Sequence, residues 1–144
     1  PEYLKLNPMG KMPTLEVDGQ GIGESTIICD YLEDAAGGSP GLPADAFERA
    51  RSRLVARITD LYLMQHVSPL FRQMNPAKRD AAAVEAATKE LDKAYGYAAA
   101  VMGAGPFCVG ATPTLGDCAL GASTQMLKTI LAAAFPDLPD PVGT

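Results

Sequence analysis

The sequence predicts an α+β chain in which a β-hairpin and one helix lead into an all-α bundle. Three observations carry this. Thr14 to Val17 alternates apolar Leu15 and Val17 with polar Thr14 and Glu16, the period of a half-buried strand. Asp18-Gly19-Gln20-Gly21 is a turn cluster, so a second short strand around Ile22 is expected to return antiparallel. After Ser39-Pro40-Gly41-Leu42-Pro43, dense in turn formers, long stretches of helical spacing take over.

In chain order, Tyr3, Leu4 and Leu6 suit the end of a helix that starts upstream. Gly10 and the prolines around it mark a tight loop, and Met12, preceding Pro13, is held extended. Behind the hairpin, Ile27, Ile28, Tyr31, Leu32 and Ala35 fall at helical spacing, with Ser25 the expected N-cap and Gly37-Gly38 the stop. The domain boundary is placed in a linker at 39–43, leaving units 1–38 and 44–144.

Asp45 is the expected cap of a long helix with Phe47, Ala50, Leu54, Ile58, Leu61 and Gln65 near one stripe. Arg49, Arg53 and Arg57 share one face, expected to be solvated with Arg57 paired to Asp60; lining a dimer cleft or an anionic substrate's approach is the second reading. Pro69 predicts a kink or stop near His66 to Ser68. Asn75-Pro76 is a break, and Asp80 can cap a bundle helix carrying Val84, Ala87, Leu91, Ala94, Ala98 and Val101 inward. Gly103-Ala104-Gly105-Pro106 ends it. Thr114 with Asp117 is a capping box, and the helix behind it holds only Asp117 and Lys128 as charges, so burial nearly all round is expected. The tail from Phe135 to Pro141 cannot continue that helix.

The 144 residues suit one domain, or half a domain plus one. A net charge of −5 without a basic block argues against nucleic acid or an anionic membrane as partner. No apolar stretch is long enough to span a bilayer, and the first residues have no signal-peptide pattern. Cys29, Cys108 and Cys118 are odd in number, widely spaced and set among apolar neighbours, which reads as reduced core thiols of a cytoplasmic protein. One histidine and no CxxC pair leave a Cys/His zinc site short of ligands.

Chemistry gathers at the hairpin's entry and exit. The extended Met12 backbone can pair with another extended peptide. Ser25 brings a hydroxyl and open N–H groups at a helix N-terminus, which favour a carboxylate, and Glu24 can take an ammonium. Together they suit an amino-acid zwitterion. The plainer alternative is a turn-forming proline and an ordinary helix cap. No cysteine or carboxylate stands at a motif spacing around His66, which reads as a partly exposed residue before a kink.

The string Asn7-Pro8-Met9-Gly10-Lys11-Met12-Pro13-Thr14-Leu15, then Glu24-Ser25-Thr26-Ile27-Ile28 and Tyr31-Leu32, resembles the second half of the thioredoxin-like domain of cytosolic glutathione transferases. Thr114-Leu115-Gly116-Asp117-Cys118-Ala119-Leu120 resembles the capping signature of that family's helical domain, with Gly116 where alanine is expected. The resemblance implies that Met12 pairs its backbone with the cysteinyl part of glutathione across a cis Met12–Pro13 bond. It implies that Glu24 and Ser25 hold the γ-glutamyl end, that Lys11 lies near the glycyl carboxylate, and that Tyr62, Leu63, His66 and Val67 wall a second-substrate pocket. The implied activity is conjugation or exchange of the glutathione thiol on a small electrophile by a detoxifying homodimer without metal. A non-catalytic transferase-like binding or interaction module is the alternative. Tyr3 and Cys29 are not at the place of the family's thiol-activating residue, so no catalytic residue is nominated. The chain reads as a piece lacking the domain's first part and the last helices, expected to be inactive alone.

Overall fold

The computed structural model describes residues 2–37 and 41–136. The chain divides into two compact units, Pro1–Leu42 and Pro43–Thr144. Residues 39 and 40 of the expected linker, Gly38 of the expected helix stop and residues 137–141 of the expected tail lie outside the described residues.

The first unit holds α1 (Tyr3–Leu6), β1 (Thr14–Val17), β2 (Gln20–Gly23) and α2 (Ser25–Ala35). The strands pair antiparallel from Thr14↔Gly23 to Val17↔Gln20, so the turn is Asp18-Gly19 alone, and Gln20 and Gly21 belong to the strand. Both turn residues take positive φ, 49° and 79°, as a two-residue Asp-Gly hairpin loop requires. A Cβ on Gly21 would lie 2.0 Å from the Leu6 carbonyl oxygen, so only glycine lets α1 approach β2 this closely.

Ser25 is the first residue of α2 rather than its cap. Glu24 holds the cap position at φ 68°, ψ 119°, and its side chain caps nothing. The backbone turns sharply there to leave the strand, which brings the helix in one residue early. Among the described residues of this unit no apolar side chain is fully buried, and Ile27 and Leu32 stay about half exposed.

The second unit is helical. α3 (Ala46–Ile58) runs through a π turn (Thr59–Leu63) into α4 (Met64–Arg72); a 3-10 turn (Pro76–Lys78) precedes α5 (Ala81–Val101), and α6 (Leu115–Ala134) follows. Asp45 caps α3 by accepting from the Phe47 and Glu48 N–H groups, and Asp80 caps α5 by accepting from those of Ala82 and Ala83. On α5 Val84, Ala87, Leu91, Ala94 and Ala98 point inward.

The expected stripe on α3 is largely the outer one. Phe47 is 71% exposed and Leu54 and Leu61 are also exposed, while Ser52, Val55, Ala56, Ile58 and Thr59 are buried. The inner face is chosen by close crossing with α6. Gly116 is buried there, its N–H donating to Ser52 Oγ at 3.2 Å, and the Thr59 hydroxyl donates to the Val55 carbonyl at 3.0 Å. Polar residues whose hydrogen bonds are met locally can line a core, so apolarity misjudged the face.

Pro69 does not stop the helix. It lies inside α4, offering no N–H to the Gln65 carbonyl, but buried Val67 and Leu70 hold the chain in register against Leu91, Leu127 and Leu131. α6 is also less buried than expected: Gly116, Leu127, Ile130 and Leu131 face inward, while Cys118, Gly121, Ala122 and Gln125 form an exposed strip. Its lack of charge reflects small side chains rather than immersion. Of the three cysteines only Cys108 is a core thiol; Cys29 is half-buried and Cys118 exposed.

Three helix ends meet at Arg79. Its Nε donates to the Gln73 carbonyl at the end of α4 (3.0 Å), its Nη2 donates to the Ala134 carbonyl ending α6, and its guanidinium lies 4.3 Å from the Phe135 ring centre. Gln73 Oε1 in turn accepts the N–H of Asp80, the cap of α5.

Candidate functional site

Because Thr14 pairs with Gly23, the segments Lys11-Met12-Pro13 and Glu24-Ser25 emerge from the same end of the hairpin. The register alone therefore brings together the five residues that the sequence nominates in this unit. All five are exposed, Met12 to 88%. The Met12–Pro13 peptide bond is cis, as the resemblance implies.

Glu24 is a non-glycine residue at positive φ, in a sparsely populated conformation that costs about 1–3 kcal/mol. Strain of this kind concentrates at binding sites, where the surrounding structure over-determines it. Its carbonyl accepts the Ile28 N–H, and its side chain makes no cap bond to the first turn of α2, so that turn's leading N–H groups are left without a side-chain cap.

The loop that presents Met12 is ordered by hydrogen bonds. Asn7, 2% exposed, donates through Nδ2 to the Lys11 carbonyl at 2.8 Å and to Thr14 Oγ1 at 2.9 Å, while its Oδ1 accepts the Met9 N–H at 3.0 Å. The Tyr3 hydroxyl also donates to the Lys11 carbonyl and lies 2.7 Å from Thr14 Oγ1. Sequence reasoning gave Asn7, Tyr3 and Thr14 no separate role. The available signal was the Asn-Pro pair, since an asparagine side chain bonded two residues on builds this type of turn.

The second-substrate set separates. Leu63 and Val67 are 1% and 2% exposed and belong to the core of the helical unit, because they point between α5 and α6. Tyr62 and His66 remain at the surface; Tyr62 packs edge-on against Tyr97 with ring centres 5.6 Å apart, and His66 Nε2 lies 3.1 Å from the Gln65 amide nitrogen. A hollow of about 390 Å³ beside α5, between Arg79, Val84, Lys89 and Phe135, contains none of the four. Among the described residues no group of three or more His, Cys, Asp or Glu is placed to hold a metal ion. Among them, too, no helix is long and apolar enough to cross a membrane.

At the start of α6 the expected capping box is formed. Asp117 accepts the Thr114 N–H and hydroxyl at 2.7 and 2.8 Å through Oδ2, and the Cys108 N–H at 2.7 Å through Oδ1. Burial opposes ionisation of Asp117, but these bonds outweigh it and hold the carboxyl below its usual range. Burial, and then that carboxylate, push the Cys108 thiol up to about 12, which keeps it protonated and inert.

A hairpin feeding a helix, followed by a capped helical bundle, defines a thioredoxin-like half domain joined to an all-α domain. Residues 1–40 match the family model described as the N-terminal domain of glutathione S-transferase. A maleylacetoacetate isomerase of Dictyostelium discoideum is 33% identical over 125 residues, 84% of this chain and 57% of that protein. A glutathione S-transferase of Methylobacterium radiotolerans, crystallised with glutathione sulfonate, superposes with a TM-score of 0.67 at 28% identity, covering 93% of this chain and 62% of its own. A bacterial maleyl pyruvate isomerase, described as a zeta-class glutathione S-transferase in its holo structure, gives 0.68 at 26% identity, with 96% and 68% covered. The chain belongs to the cytosolic glutathione S-transferase family. It spans 57% of the Dictyostelium relative it matches.

Proposed function

We propose that Lys11, Met12, Pro13, Glu24 and Ser25 form the γ-glutamyl and cysteinyl part of a glutathione site in an enzyme that uses the glutathione thiol on a small electrophile. The observation that carries this is the hairpin register, which sets the exposed Met12 backbone beside Glu24-Ser25 and the uncapped first turn of α2. An exposed backbone ahead of a cis proline suits a short peptide, and N–H groups at a helix start without a side-chain cap, with a carboxylate alongside, suit an amino-acid zwitterion. Lys11 stands next in line for a terminal carboxylate. The enzyme's contribution to rate is to stabilise the thiolate by hydrogen bonding and to align it with the second substrate. Similarity to proteins named as isomerases favours a reversible addition of the thiol, with conjugation as the other use of the same site.

The exposed stripe of Phe47, Ala50, Leu54 and Leu61 along α3 and the π turn supports a homodimer, with cytoplasmic location the setting that suits unpaired cysteines. Tyr62 and His66 are the surface candidates for contact with the second substrate.

Isothermal calorimetry with glutathione tests the site. Glu24→Ala and Ser25→Ala should each weaken binding by about 1.5–3 kcal/mol, the range for a hydrogen bond to a charged group. Unchanged affinity in both variants refutes the assignment.

A further inference from the structure

We infer that Asn7, Tyr3 and Thr14 are positioning residues that aim the Met12 N–H at the cysteinyl carbonyl of glutathione. The inference rests on the glutathione site proposed above and adds to it residues that touch no ligand. Asn7 is the most buried described residue of the first unit, a place where an apolar anchor is normally found. Instead both of its N–H bonds and its carbonyl are used, one N–H on Lys11 O and the other on Thr14 Oγ1. Lys11 O also receives the Tyr3 hydroxyl, and the Thr14 hydroxyl approaches to 3.4 Å.

This matters because the Lys11 carbonyl and the Met12 N–H belong to one peptide group. That group is planar and trans, so its C=O and N–H point in opposite directions. Side chains gathered on the oxygen therefore fix where the N–H points. Among the described residues nothing accepts that N–H, and Met12 is almost fully exposed. A donor so oriented does not reorganise when an acceptor arrives, so binding loses less conformational freedom.

The test compares glutathione with γ-glutamylcysteamine, which keeps the γ-glutamyl group and thiol but has no cysteinyl carbonyl. Calorimetry is run on the parent chain, Tyr3→Phe, Asn7→Asp and Glu24→Ala. Tyr3→Phe removes one hydroxyl from a partly exposed ring, and Asn7→Asp keeps the acceptor for Met9 while removing both donors. Each should weaken glutathione by about two- to tenfold, the worth of one hydrogen bond, while changing γ-glutamylcysteamine by less than about twofold. Equal losses for both ligands would mean a general structural role and overturn the inference. So would unchanged glutathione affinity in Tyr3→Phe and Asn7→Asp; if Glu24→Ala still weakens both ligands, the glutathione site itself stands. A parent chain that binds neither ligand overturns the site and this inference together.

Discussion

Replacing Asp117 by alanine should be among the most damaging single changes in the helical unit. The carboxylate accepts three hydrogen bonds, and two of the donors, the Cys108 and Thr114 N–H groups, belong to residues 3% and 2% exposed. Alanine leaves both donors buried without an acceptor. At about 1–3 kcal/mol for each such group, the expected loss is about 2–6 kcal/mol, a large part of the roughly 5–15 kcal/mol that holds a domain folded. The assay is urea denaturation followed by the helical circular dichroism signal. The effect should also depend on pH. The folded-state pKa of Asp117 lies below its ordinary value of 3.8, so its contribution is complete above that value and is lost as pH falls through the folded one. The gap between parent and variant should therefore narrow in acid. A gap under about 1 kcal/mol at neutral pH, or an equal gap at roughly pH 3, would refute the reasoning.

Two glycines of α6 should respond with opposite sign to alanine. A Cβ on Gly116 would stand 2.9 Å from the Ser52 carbonyl oxygen and 3.1 Å from Val55 Cβ, so Gly116→Ala should lose about 1–3 kcal/mol through overpacking despite its better helix propensity. Gly121 has nothing within 4 Å, and Gly121→Ala should gain about 0.5–1 kcal/mol; denaturant midpoints moving the same way in both variants would contradict this. Leu91→Ala, at a fully buried position, should cost about 2–5 kcal/mol, read as a fall in thermal midpoint. Gly21→Ala forces α1 off β2 and should weaken glutathione by about tenfold, the equivalent of one hydrogen bond at the site, as titration calorimetry would show.

Local chemistry wrote the hairpin and the caps plainly. Alternation from Thr14 to Val17, an Asp-Gly pair, and Asp45, Asp80 and Thr114 ahead of helical runs act over a few residues, and the structure follows them. The inner face of α3 was hidden because its contacts with α6 are made through Ser52 and Gly116, which carry no apolar signal. The stop that Pro69 allowed is absent for the opposite reason: a local penalty on the helix is outweighed by burial of Val67 and Leu70. At the site, the nominated residues are adjacent because two short segments flank one turn. The positive φ of Glu24 and the bonds converging on the Lys11 carbonyl arise from tertiary placement of α1, which sequence spacing does not encode.

The junction at Arg79 has a consequence for how the helical unit opens. Helix ends ordinarily fray one by one, each releasing its last carbonyls to solvent at little cost. Here one guanidinium holds the carbonyls that close α4 and α6, while Gln73 passes the connection on to the backbone that opens α5. The end of α4 is thereby tied to both of the other two. The amides around Gln73, Asp80 and Ala134 should therefore exchange with solvent deuterium as a single cooperative group, slower than the free ends of other helices. A lysine at position 79 would keep the charge but offer no planar fork to span two carbonyls, so the end of α6 would exchange independently of the α4 and α5 ends, which Gln73 still joins.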